Sequence, residues 1–89
     1  MALFLVSYDL RKHKDYPKLW AEMERLGGHK PLLSVYLLNV DLDTAAALRD
    51  HLSGFIDQDD QLLVVEFSEK PAHQKANQGT NAWITKNVD

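Results

Sequence analysis

The sequence has no cysteine among its 89 residues. That excludes a disulfide framework, a thiolate metal site and a cysteine nucleophile, and it fits a reducing compartment. No apolar run approaches the roughly 20 residues of a membrane span. The apolar start, Met1 to Val6, lacks the basic opening and the length of a signal peptide. The expected location is therefore the cytoplasm. An excess of positive charge is missing as well, since the net charge is −3, which argues against a general polyanion binder. There is no P-loop, no G-x-G-x-x-G, no G-x-S-x-G, no internal repeat and no low-complexity tract. The four histidines, His13, His29, His51 and His73, stand far apart and predict no convergent zinc site. Asp57, Asp59 and Asp60 lack the turn glycine and distal glutamate of a calcium loop, and read as a helix-to-strand turn.

What is present is an ordinary globular composition, 45% apolar and 26% charged. Residues 1–89 are expected to form one domain, because two would need roughly 100 residues each. The core is placed in 2–67, with 68–89 as a tail of open structure that has the option of docking on a partner subunit. Charge is unevenly spread. Residues 41–69 hold one basic residue, Arg49, against eight acids, whereas Arg11, Lys12, Lys14 and Lys18 cluster near the start. That cluster is either solvated surface or a strip for a phosphate backbone.

Ala2 to Tyr8 reads as a strand whose lack of alternation suggests burial on both faces. Asp15 is placed as the N-cap of a helix, with Pro17 in its first turn and Leu19, Trp20, Met23 and Leu26 at helical spacing. Gly27-Gly28 ends it. Leu32 to Val40 is a long β signal in which Ser34 marks either a kink or a tight reversal. Asp41 or Asp43 is expected to cap a second helix carrying Ala45, Leu48, Leu52, Phe55 and Ile56. Gln61 to Phe67 is the last clear strand. Ala82-Trp83-Ile84 suggests a short helix capped by Thr80 over a strand paired with another chain. The order predicts an α+β split βαβ sandwich, an antiparallel sheet with two helices on one face. The open sheet face then calls for a second copy, so a homodimer is expected.

Asp9 is the most informative polar residue. A carboxylate at the end of a buried first strand suits a hard cation such as Mg²⁺, and two copies across a twofold axis would share one ion. A metal there activates water or polarises a phosphodiester, while Arg11, Lys12, Lys14 and Lys18 hold the backbone. The competing reading is a strand-ending aspartate that accepts loop N–H groups.

Tyr8-Asp9-Leu10 after an apolar strand, the Gly27-Gly28 stop, Ser34-Val35-Tyr36, the acid-capped helix and the strand Leu62 to Phe67 together resemble the CRISPR-associated protein two superfamily. The sequence is closest to its stand-alone SinR-like branch and more distantly similar to VapD-like ribonucleases. The resemblance implies a ferredoxin-like homodimer associated with DNA or RNA, and at times with a larger protein complex. It implies Asp9 as the catalytic and metal-binding residue of a Mg²⁺-dependent endonuclease, supported by Tyr8, Ser34 and Tyr36. A non-catalytic dimeric scaffold for nucleic acid or protein is the alternative, and a third reading is an interaction module that docks through Trp83.

Overall fold

The computed structural model describes residues 1–13 and 15–88. In chain order the elements are β1 (Ala2–Asp9), α1 (Asp15–Arg25), β2 (His29–Leu32), β3 (Val35–Val40), α2 (Ala45–Ser53), β4 (Gln61–Phe67) and α3 (Thr80–Asn87). The strands form one antiparallel sheet in the order β2-β3-β1-β4. This is the expected α+β sandwich with ferredoxin-like topology. β1 sits between β3 and β4, so its C-terminal end lies beside the β2–β3 turn and the start of β4.

The pleat sends alternate side chains to opposite faces. Phe4, Val6 and Tyr8 of β1 and Tyr36, Leu38 and Val40 of β3 pack against Leu19 and Met23 of α1 and Leu48 and Leu52 of α2. Each fully buried apolar side chain contributes about 1.5–3 kcal/mol. The other face is covered unevenly, so the expected double-sided burial of β1 is only half met. Leu3, Leu5 and Ser7 are half-buried. Leu37 is buried beside Ile84 of α3, but Leu63 and Val65 on β4 are 63% and 47% exposed.

The helix termini explain the boundaries. Gly27 takes φ +81°, Gly27 N–H donates to the Glu24 carbonyl, and Gly28 N–H donates to the Met23 carbonyl. That is the Schellman pattern, which satisfies the last carbonyls of α1. A Cβ on Gly28 would collide with Leu38 Cδ2 and the Met23 carbonyl, so the turn after α1 meets β3 too closely for a side chain there. At the other end Asp15 is the first residue of α1 rather than its cap, and its carboxylate faces Asp57 and Asp60 instead. Thr44, not Asp41 or Asp43, caps α2: its Oγ1 accepts from Ala47 N–H at 3.1 Å. The residue immediately before the first helical one has that reach, and Asp43 is one residue too early. α2 stops at Ser53, so Phe55 and Ile56 pack from the turn that follows.

Ser34 lies in a tight reversal, which splits the long β signal into β2 and β3. The tail forms the helix α3. Its N-cap is Gly79 at φ +93°, with no side-chain cap bond; Thr80, expected as the cap, is the first helical residue, and its hydroxyl donates to the Asn77 carbonyl at 2.7 Å. Asn77 also seals the β2 edge: its backbone N–H donates to the Pro31 carbonyl and its side chain to the Lys30 carbonyl. Trp83 Nε1 donates to the Gly27 carbonyl of the same chain at 3.0 Å.

Candidate active site at the end of β1

Asp9 closes β1 opposite Gln61, and its side chain is exposed. By alternation it lies on the face of Leu5 and Ser7, the face that α1 and α2 leave open. It borders a shallow cleft with Ser7, Gln61 and Leu63. Among the described residues, no hydrogen bond or ion pair engages its carboxylate.

The basic cluster is placed differently from a free strip. Arg11 N–H donates to Asp60 Oδ1 at 2.6 Å, and Arg11 Nε donates to the Asp59 carbonyl at 3.4 Å. Lys12 Nζ pairs with Asp57 at 3.2 Å, and that hydrogen bond raises the lysine pKa. Both stay exposed but lean on the acidic turn. Lys18 is exposed on α1, and no ion pair engages it among the described residues. Lys14 lies outside the described residues.

The supporting residues hold the frame. Tyr8 is buried; its hydroxyl accepts from Trp20 Nε1 at 2.7 Å and donates to the Leu33 carbonyl at 3.2 Å. Desolvation raises its pKa, so it stays a neutral donor. Tyr36 donates to Glu24 at 2.7 Å and is raised further, by burial and then by that carboxylate. Ser34 contributes its carbonyl, which accepts Tyr8 N–H at 3.2 Å. These bonds fix the strand end that presents Asp9.

A second acidic group lies nearby. Asp15, Asp57 and Asp60 bring carboxylate oxygens within 4.8 Å of one another. Desolvation, then the charges of Asp57 and Asp60, raise the Asp15 pKa. The backbone N–H groups of Arg11 and Asp57 lower that of Asp60. The turn reading of Asp57, Asp59 and Asp60 holds, since Asp60 accepts Asp57 N–H at 2.9 Å. At Asp9 a Mg²⁺ site fits the residues present in a limited way. One chain offers a single open carboxylate, and this ion is held by one or two carboxylates with waters and phosphate completing the shell.

Some groups at this end of the sheet escaped the sequence reading. Tyr16, Trp20 and His13 form an aromatic wall beside Leu33 and Ser34. Glu22 is buried with Arg25 and His51 as partners. The i, i+4 spacing of Tyr16 and Trp20 was the available signal, and it reads equally well as core.

The fold and the strand-end carboxylate define a class, the small ferredoxin-like proteins with an acid at the mouth of the sheet. The family model for CRISPR associated protein Cas2 matches residues 1–75, and the chain belongs to that family. Membership places it among small nucleic-acid-associated proteins. No solved structure matches the chain. The matched segment ends before α3 begins. Among the described residues, no helix is long and apolar enough to cross a membrane.

Proposed function

We propose that the protein acts as a homodimeric, Mg²⁺-dependent endonuclease, with Asp9 from each copy as the catalytic, metal-holding residue. The observation that carries this is the exposed Asp9 carboxylate, free of partners among the described residues, on the sheet face where Leu63 and Val65 are also bare. A burial-hungry strand beside an unspent acid is what a twofold contact would bring together. Bound Mg²⁺ supplies polarisation of a phosphodiester oxygen and a more acidic water. The chain's own residues do the rest. Tyr8 and Ser34 hold the strand end in place, and Lys18, exposed on α1, is the cation for the phosphate backbone. Residues 1–89 act as one cytoplasmic domain, in the stand-alone SinR-like branch that Tyr8-Asp9-Leu10 and Ser34-Val35-Tyr36 suggest.

The test is Asp9→Asn, assayed for Mg²⁺-dependent cleavage of labelled DNA and RNA while sedimentation confirms an unchanged mass. Removing ligands of a metal's outer shell costs about 10–100-fold, so loss of the ligand itself is expected to cost at least that. Cleavage that persists unchanged refutes the role of Asp9. A second reading, a non-catalytic scaffold for nucleic acid or protein, is favoured by the engagement of Arg11 and Lys12 with the acidic turn. It expects binding that survives chelation and no cleavage in either protein.

A further inference from the structure

The start of α1 and the β2–β3 turn enclose an aromatic cleft that the proposed chemistry of Asp9 does not use. His13, Tyr16, Trp20, Leu33 and Ser34 line about 200 Å³. Sites for drug-sized ligands run to about 300–1,000 Å³, so this one suits a single planar ring system. Its walls are held in place. Trp20 Nε1 is bonded to the Tyr8 hydroxyl, the Tyr16 hydroxyl accepts Leu10 N–H at 3.2 Å, and the Tyr16 and Trp20 ring centroids stand 5.4 Å apart. Little rotamer freedom remains to be lost on binding.

The surroundings favour an anionic ligand with a flat apolar part. Lys30 Nζ lies 3.7 Å from the Trp20 ring centroid, and among the described residues no carboxylate pairs with it. It is a cation held by a ring, available to a phosphate at small cost. Leu33 stands 77% exposed at the rim. The cleft lies at the same end of the sheet as Asp9 but on the helix-covered face, since the Ser34 carbonyl accepts the N–H of Tyr8, the neighbour of Asp9.

We propose that this cleft takes one unpaired nucleobase of a single-stranded nucleic acid, stacked on the Tyr16 and Trp20 wall, with Lys30 on a flanking phosphate. The inference rests on the nucleic-acid part of the proposed function and is independent of catalysis by Asp9. Every base has a π-face, and in a duplex both faces are taken by neighbours, so the cleft selects unpaired strands. Stacking also answers a difficulty of charge. A chain of net charge −3 with Arg11 and Lys12 leaning on acids gains little from counterion release, and a base platform supplies affinity that does not depend on it.

The sequence has two tryptophans, so Trp83→Phe leaves Trp20 as the sole indole reporter. The full chain, in EDTA, is titrated with an end-labelled single-stranded oligonucleotide, an abasic strand of equal length and the matching duplex. Label anisotropy reports binding and indole emission reports stacking. The single strand is expected to quench Trp20, and the abasic strand and duplex are not. Trp20→Leu is expected to weaken single-strand binding roughly 5- to 150-fold, the measured range for loss of one base stack. Because Trp20 also braces Tyr8, the rim variants His13→Ala and Leu33→Ser are tested beside it and should weaken binding in the same direction. Lys30→Gln should reduce the slope of log affinity against log salt by about 0.7. Binding by anisotropy with Trp20 emission unchanged, or equal quenching by the abasic strand, overturns the cleft and leaves the nucleic-acid reading standing. No binding of any strand overturns both.

Discussion

Glu22 shows how one residue couples packing to pH. It is 5% exposed on α1, receives two hydrogen bonds from Arg25 at 2.7 Å each, and lies 2.5 Å from His51 Nε2 on α2. Arg25 first, with His51 beside it, brings its pKa down from 4.5 to about 2 despite the opposing effect of burial. A depressed carboxylate stabilises the fold fully above its unfolded pKa and loses that contribution as pH falls through the folded one. The protein is therefore expected to lose stability between pH 4.5 and about 2. Glu22→Gln should cost about 1.5–3 kcal/mol at neutral pH, the range for hydrogen bonds to charged groups. It should also flatten the acid limb, as urea midpoints at pH 7, 4 and 3 would show. Asp9 presents the opposite case, an acid without such partners among the described residues, and its position at the strand end is what marks it out.

At the scale of elements, the caps give the cleanest measurement. Thr44→Ala should destabilise the protein by about 1 kcal/mol, whereas Asp43→Ala should stay within about 0.5 kcal/mol. Chemical denaturation of the two variants side by side decides between the observed cap and the one expected from sequence. Gly28→Ala is expected to cost about 1–3 kcal/mol, through overpacking against Leu38 and the Met23 carbonyl. β1, α1, α2 and β4 were legible because each carries an apolar run or stripe of its own period. β2 was not, because His29-Lys30-Pro31 has neither. Proline is tolerated there because β2 is an edge strand, and the tail supplies its outer hydrogen bonds through Asn77. At the candidate site, Asp9 was readable as the acid that ends an apolar strand. The aromatic cleft was hidden, because periodicity puts Trp20 on the core stripe and cannot say which of its edges stays open. The pairing of Arg11 and Lys12 with Asp57, Asp59 and Asp60 was equally out of reach, since those partners lie more than forty residues away in sequence.

For the whole molecule the decisive feature is unequal cover. α3 and the tail shield the β2 and β3 side of the second sheet face, and the β4 side keeps Leu63 and Val65 in solvent. If two copies associate there, Val65→Lys should convert the dimer to a monomer in sedimentation velocity while the far-ultraviolet spectrum stays native. A mass unchanged by that substitution would move the interface elsewhere on the molecule.

A similar imbalance holds at the two rims of the sheet. One lateral rim, β2, is closed by Asn77, and β4 forms the other rim of the sheet. If two copies paired there edge to edge, the contact would use that rim on both molecules at once. Head-to-tail growth into a filament would require two unsatisfied rims, and the tail has removed one of them.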